Sequence, residues 1–287
     1  FGAMFGDVGQ GLILFLGGLF LYKTKHMDLA GIISCAGVFS VFFGFMYGSF
    51  FGFEDVLKAI WLKPMNQMMD VPLVGRLNAV FVIAIGFGMF IILICMVFNI
   101  INSIRRGDTE KTWFDSNAVA GLVFYGSIVL TIGLFISGKK LPAAAILVIM
   151  FGVPLLLMFL KEPLTNLVEK KSKILPEQKG MFFVQSFFEL FEVLLSYLSN
   201  TLSFLRIGAF AVSHAAMMEV VLMLAGATNG GSPNWVVVVL GNIFVCAMEG
   251  LIVGIQVLRL EYYEIFSRFY AGNGREFKPF MKAAHKN

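Results

Sequence analysis

Residues 196–214 read SYLSNTLSFLRIGAFAVSH and place one arginine inside an apolar run of more than forty residues, Met181 to Ala227. In that run the only other side chain that can carry a positive charge is His214. A segment this long and apolar is typical of a membrane helix, where a charge at mid-depth costs about 2.5–3.5 kcal/mol even on insertion scales. The sequence therefore marks Arg206 as a functional-site hypothesis.

The composition indicates an all-α polytopic membrane protein. Hydrophobic residues make up 58% of the chain and charged residues 14%, against about 45–50% and about 25% in soluble domains. The net charge of +4 gives no argument for a nucleic-acid partner. Three cysteines lie far apart in apolar runs and predict neither a disulfide framework nor a metal site. Seven apolar segments predict about seven transmembrane helices: 1–22, 29–53, 79–102, 117–137, 141–160, 181–227 and 235–266.

The basic residues of the polar connections predict the orientation of these helices. Fifteen of them fall on one set of alternate connections and five on the other. The larger set includes Arg268 and the tail 271–287, and the positive-inside rule places it in the cytoplasm. Of the 22 basic residues, only Arg206 and Arg259 are then left inside the predicted spans.

Each of the last two segments carries a polar stripe at helical spacing. The sixth has Glu192, Ser196, Ser199, Ser203, Arg206 and Ser213, with Asn200 and His214 at the edge; the seventh has Asn242, Glu249, Gln256, Arg259 and Tyr263. Both segments exceed the length needed to cross a bilayer, so we expect two long, tilted helices. Two simpler readings stay open. Single serines and asparagines often only hydrogen-bond a neighbouring helix, and a static ion pair from either arginine to Glu249 would offset the cost of its charge.

The chemistry of arginine favours a role in ion transfer. Arginine stays charged at any reachable pH, whereas a desolvated lysine can lose its proton. A positive charge lowers the pKa of a nearby carboxyl group by about 1–3 units, so a loaded carboxyl that passes a fixed arginine releases its cation. The same charge repels a cation that leaks past. The two stripes thus predict two offset half-channels divided by an arginine.

Helix direction assigns the stripe residues to the two sides of the divider. If the sixth helix runs outwards and the seventh returns, the outer half-channel contains Ser213, His214, Asn242 and Glu249. The cytoplasmic half-channel contains Glu192, Ser196, Ser199, Asn200, Ser203, Gln256, Glu261 and Glu264.

Three stretches resemble a known family: FGAMFGDVGQG at 1–11, SNTLSFLRIGAFAVSHA at 199–215, and AMEGLIVGIQVLRLEYYEIFSRFYAGNGREFKPF at 247–280. They are similar to the membrane half of the V/A-type rotary ATPase stator subunit, called subunit a in eukaryotes and subunit I in prokaryotes. The resemblance implies eight transmembrane helices, one of them upstream of Phe1, and a cytoplasmic N-terminal domain absent from this chain. Gln10 stands where eukaryotic relatives usually have histidine, which favours a prokaryotic plasma membrane.

The resemblance also implies roles for individual residues. Arg206 matches the essential arginine that faces the rotor ring, and Arg259 matches the second arginine. Glu192, His214 and Glu249 match half-channel residues, and Asp7 matches the acidic residue of the first motif, which we assign to the outer half-channel. No catalytic residue, metal or cofactor is implied, only transported H⁺ or Na⁺, which the residues do not distinguish. The implied partners are the proteolipid ring, the peripheral and central stalks through the absent N-terminal half, and indirectly the catalytic head.

Three functions follow from these features. The favoured one is a non-enzymatic, ion-conducting stator subunit, with ATP chemistry on other chains. Its helices at 1–180 would pack behind the long pair at 181–270. A stand-alone secondary transporter whose arginines bind an anionic substrate is the alternative, although such folds usually show repeats and paired broken helices, which are not evident here. A membrane scaffold, with the arginines paired to Glu189, Glu192 or Glu249, is the third.

Overall fold

The computed structural model describes residues 1–53, 56–65, 68–71, 75–139, 142–168, 179–227, 233–270 and 272. The described residues are mainly helical, as predicted, with one short two-stranded sheet. The elements are α1 Val8–Lys25, α2 Asp28–Tyr47, β1 Met68–Val71, β2 Gly75–Asn78, α3 Ala79–Arg106, α4 Thr109–Trp113, α5 Val119–Ile136, α6 Ala144–Phe159, α7 Lys161–Val168, α8 Lys179–Ser203, α9 Leu205–Leu224, α10 Trp235–Leu260, a π-helical segment Glu261–Phe266, and α11 Ser267–Phe269. The two strands pair antiparallel.

Five helices among the described residues are long and apolar enough to cross a membrane: Asp28–Tyr47, Ala79–Arg106, Val119–Ile136, Gly180–Leu224 and Trp235–Phe269. The bent pair α6 and α7, with an angle of 73°, makes a sixth if it is one span. The chain is therefore a polytopic integral membrane protein. The first predicted segment forms α1, which does not meet the same criteria, so the count of seven crossings stays a prediction.

Glycines bring α1 and α2 into backbone contact. A Cβ atom on Gly44 would overlap the backbone of Val8, and one on Gly18 would lie 2.7 Å from the backbone nitrogen of Ser34. The sequence places Gly44 in a G-x-x-x-G-x-x-x-G series with Gly48 and Gly52, which favours a helix-packing ridge. Only Gly44 serves that role, because α2 ends at Tyr47. Gly48 and Gly52 instead have φ angles of 75° and 83°, the left-handed region that glycine adopts without strain.

The sixth predicted segment forms one 45-residue helix, Gly180–Leu224, as its length led us to expect. Its two parts, α8 and α9, meet at Phe204, where backbone bonds of the tighter type run from Phe204 N–H to Thr201 and from Ile207 N–H to Phe204. The Phe204 side chain is buried against Gly88 of α3. This contact fixes the point of the long helix that immediately precedes Arg206.

The last helix changes its winding where α10 continues into the π segment and α11. Up to Leu260 the buried positions of α10 include Asn242, Glu249 and Val253. A π turn takes more residues than an α turn, so it shifts the phase of whatever follows. Glu264 within the π segment and Arg268 after it are buried, whereas Tyr263, predicted on the polar face, is exposed.

One apolar core draws on the whole length of the chain. It contains Phe5 near the start, Ile92 and Met96 of α3, and Phe204 and Val253 of the last two long helices. Phe124 and Tyr125 of α5 join it through Tyr197 of α8. The boundary expected near residue 180 stays a prediction, and the tail 271–287 lies outside the described residues apart from Gly272.

Candidate functional site

His214 of α9 and Glu249 of α10 form a buried polar pair. The Nδ1 atom of His214 lies 2.6 Å from Oε2 of Glu249, and the two residues are only 3% and 2% exposed. The Phe5 ring covers the imidazole, with the ring centroids 4.7 Å apart. His214 Nε2 and Glu249 Oε1 are buried without a hydrogen-bond partner among the described residues. The pair therefore has one further proton-binding position on each side chain.

A second polar contact joins α1 to α10 on the same side of Arg206. Gln10 Nε2 donates to Asn242 Oδ1 at 2.8 Å and approaches the sulfur of Met218 at 3.2 Å. Asn242 in turn donates to the carbonyl of Val238 at 2.9 Å. Gln10 and Asn242 also line an apolar cleft of about 760 Å³ between α1 and the first half of α10. Gln10 was noted in the sequence only as a departure from relatives and was missed as a site residue.

Asp7 is fully buried and contacts both the start of α1 and the loop after α2. Its Oδ1 accepts from the N–H groups of Gln10 and Phe51 at 2.9 and 3.1 Å, which caps α1. Its Oδ2 accepts from the Ser49 hydroxyl at 2.6 Å and from the N–H of Gly52 at 3.0 Å. These four bonds hold the loop after α2 against the start of α1. The role of Asp7 in an ion path stays a prediction.

Arg206 sits in a different hydrogen-bonded cluster. Its Nη2 donates to the Ser203 hydroxyl at 3.3 Å, and Ser203 donates to Oε1 of the buried Glu264. Nη1 of Arg206 and Oε2 of Glu264 are buried without a hydrogen-bond partner among the described residues. The charges of Arg259 and Glu264 both act on Arg206. The guanidinium is therefore held on one side and has a donor left over on the other.

The remaining predicted site residues line the accessible surface or its edge. Arg206, Ser203, Gln256, Asn200 and Glu261 are half-buried; Glu192, Ser196, Ser199, Ser213 and Arg259 are exposed. Asn200 donates to Ser196 at 3.2 Å. Arg259 is ten residues from the buried Glu249, about 80° round an α-helix, which explains its outward direction. The polar stripe of α8 thus faces outwards from an otherwise apolar helix.

The static ion pairs considered from the sequence are not formed. Among the described residues, no ion pair joins Arg206 or Arg259 to a carboxylate. Glu249 is taken by His214, and Glu189 pairs with Lys161 at 2.8 Å. The scaffold reading therefore lacks the pairings on which it depended.

Arg268 is the other residue that sequence reasoning missed. The count of basic residues placed Arg268 in a polar cytoplasmic connection. In the structure Arg268 is only 7% exposed, and its Nη1 donates to Oδ1 of Asn117 at 2.9 Å. Its position in IFSRFY, among apolar and aromatic residues, was the available signal of burial.

The two clusters lie on either side of Arg206 along one helix. His214 follows Arg206 by eight residues, about 12 Å at 1.5 Å per residue, and Ser203 precedes it by one turn. One cluster contains a buried histidine–carboxylate pair, and the other contains a buried carboxylate. Between them stands a guanidinium with a free donor.

Comparisons with known proteins support the family resemblance seen in the sequence. Residues 165–282 match the model of the V-type ATPase 116kDa subunit family. Over 320 aligned residues the chain is 27% identical to the A-type ATP synthase subunit I of Aeropyrum pernix, covering 97% of this chain and 45% of the relative. Residues 165–282 are therefore similar to the V-type ATPase 116kDa subunit family. The predicted resemblance is confirmed, and the matched residues include α8 to α11.

Shorter matches show higher identity. The chain is 41% identical over 100 residues to the A-type ATP synthase subunit I of Saccharolobus solfataricus, covering 32% of this chain and 14% of the relative. It is 35% identical over 106 residues to the human V-type proton ATPase 116 kDa subunit a 3, covering 32% of this chain and 13% of the relative. The chain spans less than half the length of the curated relatives it matches.

Proposed function

We propose that this chain is the ion-translocating part of a rotary ATPase stator, which loads and unloads cations on the carboxyl groups of a rotating proteolipid ring. The observation that carries the proposal is the position of Arg206. It is half-buried, and on one continuous helix it lies between Ser203, which contacts Glu264, and His214, which contacts Glu249.

The outer half-channel is assigned to the cluster around His214 and Glu249. Their 2.6 Å contact gives a proton or hydrated cation two adjacent polar groups in an otherwise apolar region. Asn242 and Gln10 extend the polar surface towards the start of α10. A ring carboxyl loaded there rotates away from Arg206 through lipid, because it is neutral when loaded.

The cytoplasmic half-channel is assigned to Ser203, Glu264 and the exposed stripe of α8. A ring carboxyl that returns to Arg206 meets its half-buried guanidinium, and the positive charge favours the ionised form of the carboxyl. The released cation leaves past Glu264, Gln256 and the α8 stripe: Glu192, Ser196, Ser199 and Asn200. Arg259, exposed one helical turn before Glu264, adds positive charge near this mouth.

The partners and location follow from the same proposal. The relatives are named as subunits of A-type and V-type ATP synthases and ATPases, so we assign this chain to such a complex and ATP chemistry to other subunits. The ring is the direct partner; the stalks and catalytic head belong to the remainder of the complex. A prokaryotic plasma membrane and a cytoplasmic C-terminus are part of this proposal.

Purification of the full complex from membranes tests the assignment. Small, apolar, carboxyl-bearing subunits should co-purify with the full-length protein, and vesicles containing the complex should accumulate H⁺ or Na⁺ only when ATP is supplied. Sodium uptake that survives a protonophore identifies Na⁺ as the ion; an abolished gradient without sodium dependence identifies H⁺. Solute-driven transport by the purified chain alone, with no ring and no response to ATP, would instead establish a secondary transporter.

A further inference from the structure

Arg268 is a buried cation that the proposed ion path does not use. It follows the π segment, on α11, and packs against α3 and the segment that joins α4 to α5. Its side chain is 7% exposed although it comes within twenty residues of the end of the chain. Because a desolvated guanidinium is unfavourable unless it is paired, its surroundings call for a physical explanation.

Two contacts hold the guanidinium of Arg268 in place. Nη1 donates to Asn117 Oδ1 at 2.9 Å, and the central carbon lies 5.9 Å from the centroid of the Tyr197 ring of α8, within cation–π range. Both partners are themselves fixed. The carbonyl of Asn117 accepts from Asn99 of α3 at 3.0 Å, and the Tyr197 hydroxyl donates to the carbonyl of Ser116. Arg268 therefore ties the end of the last helix to α3, α8 and the start of α5.

The carboxylate whose charge acts on Arg268 belongs to Glu264, four residues earlier. Glu264 is 5% exposed, and its Oε2 has no hydrogen-bond partner among the described residues. The same is true of Nε and Nη2 of Arg268. The charges of Glu264 and Arg268 thus each offset part of the desolvation cost of the other without direct contact. The π segment turns both side chains towards the interior.

Glu264 connects this pair to the divider. Its Oε1 accepts the hydrogen bond from Ser203, and Ser203 accepts from Arg206 at 3.3 Å. If Arg268 were neutral, Glu264 would be a buried carboxylate with only Ser203 and the charge of Arg206 to stabilise it. Glu264 would then draw Arg206 towards itself and away from the accessible surface.

We propose that Arg268 is a positioning residue for the divider: it anchors the end of the last helix and, through Glu264 and Ser203, holds the half-buried Arg206 guanidinium where it can meet a ring carboxyl. This inference rests on the proposed function of Arg206. It assigns a task to a third arginine that lies outside both half-channels.

A double-mutant cycle in intact, reconstituted complexes tests the proposal. The initial rate of ATP-driven ion uptake is measured for Arg268→Gln, Glu264→Gln and the double variant, with the exposed Arg106→Gln as the control for loss of one basic residue. We expect Arg268→Gln to lower uptake about tenfold, the factor typical of losing one charge-assisted hydrogen bond. The double variant should be no worse than the more impaired single variant, because both changes break one connection.

A lysine substitution helps to distinguish a positioning role of Arg268 from simple packing. Arg268→Lys should recover most of the uptake, because it keeps the charge that balances Glu264. The proposal would be overturned if the losses of uptake multiply in the double variant, or if Arg268→Lys is as impaired as Arg268→Gln. Normal uptake by Arg268→Gln would overturn it as well. If the Arg268→Gln complex does not assemble, the cycle is repeated with Asn117→Ala and Glu264→Gln. Losses of uptake that multiply in that double variant would likewise overturn the proposal.

Arg206→Ala, measured in parallel, distinguishes this inference from the proposed function. If Arg206→Ala transports normally, the divider itself is wrong. If Arg206→Ala is inactive while Arg268→Gln is normal, only the positioning role fails.

Discussion

Replacement of Arg206 is the perturbation for which the structure gives the clearest expectation. Arg206→Ala removes the guanidinium between the two clusters and leaves Ser203 bonded to Glu264 alone. Arg206→Lys keeps a charge but loses the planar fork that lets one nitrogen contact Ser203 while another stays free. We expect both complexes to assemble, because Arg206 is half-exposed and makes one hydrogen bond.

Two effects set the magnitude for Arg206→Ala. A nearby positive charge lowers the pKa of a carboxyl by about 1–3 units, each about 1.4 kcal/mol, so its loss should slow cation release about tenfold to a thousandfold. Repulsion of a cation about 6 Å away is about 3 kcal/mol at an effective dielectric constant of 20. Loss of that barrier should raise passive leak about a hundredfold. For Arg206→Lys we expect at least a tenfold loss of uptake and a much smaller leak.

The assay is ATP-driven ion uptake and, separately, ATP-independent decay of an imposed ion gradient, both in vesicles with equal amounts of complex. Arg106→Ala, an exposed arginine at the end of α3, is the matched control and should behave like the parent. Near-normal uptake by Arg206→Ala together with an unchanged leak would refute the divider and leave Arg206 a packing residue.

Three further expectations test the topology, the outer path and the packing behind Arg206. With the three native cysteines replaced, Ile174→Cys should label from the cytoplasm and Gly231→Cys from outside; reversed labelling would exchange the two half-channels. Glu249→Gln and His214→Ala should lower ion uptake and ATP hydrolysis together, roughly threefold to tenfold, since each removes one buried, charge-assisted contact; full activity in both would exclude this pair from the path. Gly88→Ala should lower the melting temperature of the complex and its uptake, because the new methyl overlaps Phe204 at a cost of about 1–3 kcal/mol. Gly86→Ala, on the same helix with open space around it, is its control, and equal effects would argue against the contact.

The physics of a charge in an apolar run made some features readable from the sequence alone. Arg206 could be identified as a candidate functional residue because neither composition nor periodicity places its charge in water. His214 and Glu249 could be identified for the same reason, and the length of the apolar run correctly predicted one continuous helix from α8 through α9. Membrane class, a helical fold and the family resemblance can therefore be predicted from local composition and motifs.

The partners of those residues could be decided only by the tertiary structure. Periodicity tells which side chains share a face but not what lies opposite, so the sequence could not show that Glu249 pairs with His214 or that Gln10 meets Asn242, 232 residues away. The same limit applies to Arg268. Spacing based on an ideal α-helix of 3.6 residues per turn could not predict the π segment. Arg268, which the sequence analysis placed in a polar connection, is buried after this change of winding. Local sequence sets which groups are costly to bury, whereas three-dimensional packing determines which groups compensate them.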